Sequence, residues 1–319
     1  MGEIEILRAG PLTTVQDLGR PNFRREGISP GGALDSHAAR IANLLVGNCD
    51  DAAVLEIIYG PFRACISDER IIAWCGATLG EKEFSPGRPI RISANEELNF
   101  AAPARGCRRW LAISGGIDSP LVLGSRATDL RGGFGGLDGR AVRDGDRLPL
   151  GESVELAHFS ESRASWSAPN EWSQTAPAHP VLRVVAGSEW NAFTRAARAA
   201  LAEETYLVHA DSDRMGARLT GTLLPRKKKT EMISEAVAPG TIQVPDGAQP
   251  ILLLGDCQTL GGYPKIAHVI TVDLPVAAQL RPNDRVRFQI VSLESARELF
   301  LSRENDLERF RAGLQLRMP

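Results

Sequence analysis

Apolar residues in this chain come in short runs, and glycine or proline closes most of them. Ile71-Ile-Ala-Trp74, Trp110-Leu-Ala-Ile113, Leu182-Arg-Val-Val185 and Val286-Arg-Phe-Gln-Ile-Val291 are representative. Runs this short suit strands buried on one or both faces, and do not supply the long amphipathic stripes of helices. The pattern predicts a mainly β chain with a few helices, built as β-barrels or sandwiches and not as repeated βαβ units. At 319 residues the chain can bury one large core or two ordinary ones.

Three segments break the strand pattern. His37–Val46 follows the cap residues Asp35 and Ser36 and stops at Gly47-Asn48, which predicts a helix. A second helix is expected over Glu189–Glu203, where Trp190, Phe193, Ala197 and Leu201 recur at helical spacing. A third is expected over Leu293–Leu314, with Leu293, Ala296, Phe300, Leu307 and Phe310 along one stripe. Ser160–Pro180 is rich in Ser, Ala and Pro and reads as a linker, with Trp166 and Trp172 expected to dock on a barrel or on a partner. The resulting division is an N-terminal domain over 1–160, a linker over 161–180, and a C-terminal domain with a terminal helix over 181–319.

Local patterns repeat across that linker. Gly124-Ser-Arg-Ala-Thr is echoed by Gly216-Ala-Arg-Leu-Thr. Asp144-Gly-Asp-Arg-Leu-Pro-Leu is echoed by Pro282-Asn-Asp-Arg-Val-Arg-Phe, and more faintly by Asn95-Glu-Glu-Leu-Asn-Phe. They suggest two related domains, or else only a shared turn-then-strand signal.

Composition narrows the partners. The hydrophobic share of 43% and charged share of 24% are globular values. A net charge of -2 carries no electrostatic footprint for nucleic acid or an anionic membrane, so neither is an expected partner. No apolar run approaches the roughly 18 residues that span a bilayer. The five cysteines, Cys49, Cys65, Cys75, Cys107 and Cys257, are odd in number and never in CxxC spacing, which argues against disulfides and a zinc site. The expected setting is the reducing cytoplasm.

The densest chemistry lies in Gln258-Thr-Leu-Gly-Gly-Tyr-Pro-Lys265, directly after the apolar run Ile251–Leu254. A buried strand holds the loop at its end rigidly. Gly261 and Gly262 let a ligand approach the main chain, and Gln258, Thr259 and Tyr263 surround it with neutral hydrogen-bonding groups. The plainer reading is a tight hairpin turn. A second set is Ser212-Asp-Arg-Met-Gly-Ala-Arg218. Arg214 and Arg218 have forks that match a carboxylate, carbamate or phosphate, and Asp213 can orient one of them or act as a base. The alternative is a structural ion pair. Gln243 joins the loop set from a strand end. Asp256, Glu235 and Tyr263 are the candidate catalytic groups: a carboxylate as base, and neutral donors where a substrate oxygen gains charge.

Other charged residues read as structural. Gln16, Asp17 and Arg20 are expected to cross-link the start of the chain, and Arg126 with Asp129 to close a barrel. Glu56 sits in the apolar Val54–Ile58, so burial demands a partner, with Arg20 or Arg126 as candidates. Gly132–Gly139 lacks GxGxxG spacing and reads as a mobile loop. Arg226-Lys-Lys-Lys229 reads as a solvated run.

Taken in order, Gly10–Arg20, Gly32–Asp35, Ala42–Asn48, Gly124–Asp129, Ser212–Gly216, Gly240–Pro245 and Gln258–Lys265 strongly resemble the allophanate hydrolase subunit 2, or biotin-dependent carboxyltransferase, family. The resemblance runs from about Ile4 to Val291. The family includes the C subunit of 5-oxoprolinase, the Kip antagonist and a segment of urea carboxylase. It implies two cyclophilin-like β-barrel domains. For function it implies first an ATP-dependent 5-oxoprolinase-type amidohydrolase, opening 5-oxoproline to glutamate with a B subunit as partner and a LamB/YcsF-type A subunit. The alternatives it implies are a carboxyltransferase acting on urea or another small amide, with biotin carboxylase and biotin on a separate carrier, and a Kip antagonist-like regulator of a sensor-kinase inhibitor. The B subunit of such a system resembles allophanate hydrolase subunit 1 or the Kip inhibitor. Ser212, Asp213, Arg214, Arg218, Gln243, Gln258, Thr259, Gly261 and Gly262 are the expected substrate-binding set, with ATP bound at the level of the complex and no metal site in this chain. Three positions depart from the family pattern: Gly31 replaces a usual Ser, Ala186-Gly-Ser188 a common Gly-Pro, and Cys257 a frequent arginine.

Overall fold

The computed structural model describes residues 2–78, 85–153, 166–174, 177, 179–228 and 232–317. Much of the expected linker and Lys229 lie outside the described residues. The chain is mainly β and divides into two compact units. Unit one comprises Met1–Arg20, Gly31–Ala176 and Glu308–Pro319; unit two comprises Pro21–Pro30 and Pro177–Leu307.

Unit one contains β1 (Glu3–Arg8), β2 (Leu12–Gln16), helix α1 (Ser36–Leu45), β3 (Val54–Ile58), β4 (Phe62–Ile66), β5 (Arg70–Thr78), β6 (Ile90–Ile92), β7 (Glu97–Phe100), β8 (Arg105–Ile113), β9 (Arg147–Pro149) and the single-turn helix α2 (Asn170–Ser173). They form a sheet ordered β7-β4-β1-β9 and a second ordered β2-β3-β8-β5-β6. Alternate residues of both enter one core, with Ile4, Ile6, Phe62 and Leu148 from the first meeting Leu55, Ile57, Trp74 and Leu111 from the second. The other face of the second sheet is covered by α1. Asp35 caps that helix by accepting the Ala38 N–H at 2.8 Å.

That cover explains Glu56, which is fully buried in β3. Arg126 is not among its partners. Oε2 accepts the Trp110 indole N–H at 2.9 Å and the Leu34 N–H at 3.1 Å, and the Arg108 guanidinium lies 3.7 Å from Oε1. Arg108 reaches it because β3 and β8 are adjacent strands. Arg126 pairs instead with Asp118 at 2.8 Å, and Asp129 caps the turn behind it through the N–H groups of Arg131 and Gly132. Gln16 donates to Thr14 Oγ1 and Thr128 O, Asp17 accepts from Ser125 and Arg126, and Arg20 donates to Ala127 O, so the opening segment is cross-linked as expected. Gly132–Gly139 is no loose loop: bridges join Asp129 to Phe134 and Leu137 to Arg140. A side chain at Gly136 would stand 1.9 Å from Thr128 Oγ1, so glycine is needed there for close packing.

Unit two contains β10 (Val181–Ala186), α3 (Arg195–Glu203), β11 (Thr205–Val208), β12 (Gly216–Thr220), β13 (Glu235–Ala236), β14 (Thr241–Gln243), β15 (Ile251–Leu253), β16 (Leu260–Gly261), β17 (Lys265–Val269), α4 (Leu274–Ala277) and β18 (Arg285–Ile290). Seven strands close a barrel in the order β10-β17-β14-β15-β12-β11-β18, sealed by the parallel pair β10–β18. Helix α5 (Leu293–Gln315) ends the described chain, its residues divided between the units at Leu307.

Two expected elements differ. Glu189–Glu203 is not one helix. Trp190–Ala192 makes a 3-10 turn, Phe193 and Thr194 are extended, and α3 starts at Arg195 under a Thr194 cap. Phe193 is fully buried and bridges to Arg226, an extended pairing that wins over helix propensity at that residue. In the expected linker, Trp172 on α2 stands edge-on to His37 at 5.5 Å and to Phe310 at 5.7 Å, inside unit one.

The repeated sequence patterns do not all have the same structural meaning. Gly124-Ser-Arg is a turn and Gly216-Ala-Arg opens a strand, so that echo is not structural. The other three share one device. Asn95, Gly145 and Asn283 have φ of 61°, 87° and 71°. Each is followed by an acid that accepts the N–H three residues back: Glu96 from Ser93, Asp146 from Arg143, Asp284 from Arg281. Each turn then leads into a strand, β7, β9 or β18.

Candidate active site

All the candidate residues lie in unit two. β15 and β17 are both neighbours of β14 and not of each other, so the segment joining them crosses the end of β14. A tight hairpin is therefore excluded. The crossing segment forms its own ribbon: β16 pairs with β13, with Glu235 opposite Gly261 and Ala236 opposite Leu260. Gln243, the last residue of β14, is 1% exposed beneath it. Its Nε2 donates to Tyr263 O at 3.3 Å, and its Oε1 accepts from Gln258 Nε2 at 3.5 Å.

The two glycines differ. Neither has a positive φ, so conformational freedom is not their shared purpose. A Cβ on Gly261 would lie 2.6 Å from Gln243 Nε2, so glycine is what lets the amide reach the loop. On Gly262 the nearest atom would be Ser234 Oγ at 3.4 Å, an ordinary contact. Thr259 is buried, its carbonyl accepting the Val237 N–H, while Tyr263 is 49% exposed.

Charge enters at the next residue. β17 pairs with β14 through a bulge, with Ala267 opposite Ile242 but Lys265 opposite Gln243, so Ile266 is the extra residue. Bulges re-aim side chains, and this one sets Lys265 beside the loop. Its ammonium is 2.6 Å from Glu235 and 3.4 Å from Glu189, and its backbone N–H donates to Glu189 at 2.8 Å. Burial works to lower the Lys265 pKa, but the Glu235 hydrogen bond and the charges of Glu189 and Glu235 outweigh it and leave it raised. Burial likewise pushes Glu189 up, and hydrogen bonds from Ser188 and Lys265 bring it net down. His268, bonded to Thr241 at 3.2 Å, is held neutral mainly by burial and then by the Lys265 charge. Sequence reasoning gave Lys265 and Glu189 no role. The signal was present, since a lysine opening the apolar Ile-Ala-His-Val run demands burial and a partner as Glu56 does.

The arginine pair does not converge. Arg214 is 5% exposed and forks onto Asp256, with Nε to Oδ2 at 2.8 Å and Nη2 to Oδ1 at 3.1 Å. Arg218 is exposed on β12, where Ala217 and Leu219 point inward. Asp213 orients neither guanidinium; it accepts the N–H groups of Met215 and Gly216 and shapes the turn. Ser212 Oγ donates to His209 O and accepts the Arg218 N–H. Asp256 is thereby committed to Arg214. Cys257 is buried with Val237 and Leu253, and burial pushes its thiol up to about 11. The turn is braced by the Pro21–Pro30 segment: Ser29 Oγ donates to Gly255 O, and Arg24 to Val237 O. Among the described residues no cluster of three His, Cys, Asp or Glu is placed to hold a metal ion, and no helix is long and apolar enough to cross a membrane.

Residues 26–290 match the family described as carboxyltransferase domain, subdomain A and B. The chain is 39% identical to the 5-oxoprolinase C subunit of Escherichia coli over 99% of this chain and 98% of that protein. The chain belongs to the carboxyltransferase-domain family. Within it, a urea amidolyase of Lachancea kluyveri is 30% identical over 97% of this chain, which matches 18% of that longer protein. The crystal structure of Kluyveromyces lactis urea carboxylase superposes with a TM-score of 0.87 at 29% identity, covering 97% of this chain and 29% of that one. The family thus occurs both as a separate subunit and as a segment of much longer enzymes.

Proposed function

We propose that this chain is the C subunit of an ATP-dependent 5-oxoprolinase-type amidohydrolase, which opens 5-oxoproline to glutamate together with a B subunit. The observation that carries the reading is the end-to-end match, at 39% identity over 98% of the length of the Escherichia coli protein. In this reading the end of the barrel at Gln243, Gln258 and Tyr263 takes the small cyclic amide. Arg214, held in a fixed fork by Asp256, meets the substrate carboxylate, and Glu235 is the base near the ring nitrogen. Thr259, Gly261 and Gly262 form the wall, with Ser212, Asp213 and Arg218 at its margin. This chain then supplies one part of a site that the B subunit completes. ATP belongs to the assembled complex with a LamB/YcsF-type A subunit, because this chain has no GxxxxGK[ST] loop and its Arg226 is tied to Asp246 at 3.0 Å. The cytoplasm is the proposed location.

The match to urea amidolyase favours one alternative, carboxyl transfer to urea or a related amide with biotin on a separate carrier. The experiment is reconstitution: co-expression with the neighbouring partner genes, size-exclusion chromatography, and ATP-dependent turnover of 5-oxoproline. Co-elution with turnover supports the proposal. Turnover of urea only with a biotin carboxylase and carrier moves it to the alternative, and chains that run separately at micromolar concentration sink both.

A further inference from the structure

The barrel end holds a buried cation that the proposed roles leave unused. Lys265 is 5% exposed, yet two carboxylates keep it an ammonium, so at neutral pH it can donate but cannot act as a base. An ammonium has three N–H donors, and Glu235 and Glu189 account for two contacts. Three geometric facts place it against the loop. The bulge at Ile266 sets it opposite Gln243. The Gln243 amide lies against Gly261. Gly261 is opposite Glu235, whose side chain is 57% exposed. Ammonium, amide and carboxylate therefore share one patch, reached from solvent on the Glu235 side.

We infer that Lys265 is a catalytic residue whose ammonium donates a hydrogen bond to the carbonyl oxygen of a small amide, and that Glu189 is the positioning residue that aims it. The inference rests on the proposed amide chemistry but not on which amide is used, since a lactam and urea present the same oxygen. Lys265 makes and breaks no covalent bond and loses no proton; it stabilises charge that grows on the oxygen, as the carbonyl carbon is attacked in lactam opening or as the amide nitrogen gives up its proton in carboxyl transfer. Glu189 fits the positioning role because its carboxylate holds both the backbone N–H and the ammonium of the same residue. Net charge agrees with this choice of ligand. Two carboxylates around one ammonium leave the patch negative, which disfavours an anion there and suits a neutral amide, while the substrate carboxylate is left to Arg214.

The test is competitive reductive methylation of lysines in the reconstituted complex, read by mass spectrometry. The probes are 5-oxoproline, urea and cyclopentanecarboxylate, a carboxylate of similar size with no amide. At least one of the two amides is expected to slow labelling of Lys265 several-fold, leaving Lys227 and Lys228 unchanged, and cyclopentanecarboxylate is expected to have no effect. Lys265→Met should lower kcat about 100- to 1000-fold, the loss typical of one donor to a developing oxyanion. Glu189→Gln should speed Lys265 labelling in the ligand-free complex and lower kcat more than it changes KM, with Glu189→Asp restoring part of both. Lys265 labelling that neither amide slows, or wild-type kcat from a folded Lys265→Met complex, overturns the inference. Should Lys265→Met fail to fold, the protection experiment on the wild type decides by itself. Protection by urea without 5-oxoproline turnover keeps the inference and removes the oxoprolinase reading, so the two fail separately.

Discussion

At the scale of single residues, the loop's glycines make different demands. Gly261→Ala is expected to displace the Gln243 amide, because its Cβ would sit 2.6 Å from Nε2, whereas at Gly262 the nearest atom would be 3.4 Å away. Steady-state kinetics on the complex should show loss of turnover in the first and near wild-type values for Gly262→Ala. Tyr263→Phe removes one exposed hydroxyl; if it meets the amide oxygen, kcat falls with KM little changed. Arg214→Ala carries two effects. It removes a charge-assisted donor, a loss of about 1.5–3 kcal/mol or roughly ten- to a hundred-fold in affinity. It also leaves Asp256 without its fork, so the Arg214→Ala and Asp256→Ala pair belongs in a double-mutant cycle. Arg214→Lys should do nearly as badly as Arg214→Ala, since an ammonium cannot bridge both Asp256 oxygens in the same plane. Wild-type substrate affinity in a folded Arg214→Ala complex would leave the pair a structural one.

At the scale of elements, the turn that launches β7, β9 and β18 is a repeated unit. An acid accepting the N–H three residues back, behind a residue of positive φ, does for a strand what a cap does for a helix. Asp284→Ala is expected to cost about 1 kcal/mol, the worth of a typical net hydrogen bond. Denaturant melts would read it as a lower midpoint at unchanged slope. The same scale explains where helix periodicity misled. Phe193 fits the stripe of α3 by spacing, but it is buried as an extended residue bridged to Arg226, and the helix begins only past the Thr194 cap. Periodicity registers which residues seek the interior and does not distinguish a helix turn from a buried bridge.

At the scale of the whole molecule, the terminal helix residues carry a load in unit one. Arg311 forks onto Asp50 at 2.6 and 2.7 Å, and Phe310 packs on Trp172. Truncation after Leu307 should therefore lower the thermal midpoint, and Arg311→Ala should reproduce part of that loss. Burial pushes the Asp50 carboxyl up, but hydrogen bonds from Arg311 and Arg40 outweigh it and leave the pKa lowered. Asp146 is lowered by Arg140 in the same unit. For a lowered carboxylate the unfolded chain binds the proton first. Its stabilisation is present above the unfolded value of about 3.9 and is lost as pH falls through the folded one. His268 has the same sign at a higher pH. Buried neutral, it resists a proton that the unfolded chain accepts near pH 6.5, so stability declines below that value. Denaturation followed from pH 8 to pH 3 should show two descending stages, with His268→Gln flattening the upper and Asp50→Asn shrinking the lower.

How much of this was legible in advance depends on the range of each interaction. The β class, α1 and its Asp35 cap, and the strand-to-loop position of Gln258–Lys265 follow from local patterning, because apolar runs, caps and glycine punctuation act within a few residues. The ordered motifs likewise carried the family. Other features needed the fold. Glu56 is matched with Arg108 only because β3 and β8 are adjacent, and Arg214 with Asp256 across 42 residues of chain. Lys265 meets Glu189 across 76 residues, and one bulged residue in β17 decides which way it faces. The chain order also concealed the units, since Pro21–Pro30 and Glu308–Pro319 each belong to the unit that their sequence position does not suggest. Burial forces a charge to find a partner, and that much a sequence declares. Which partner it finds is set by strand neighbours and register, which only the tertiary structure supplies.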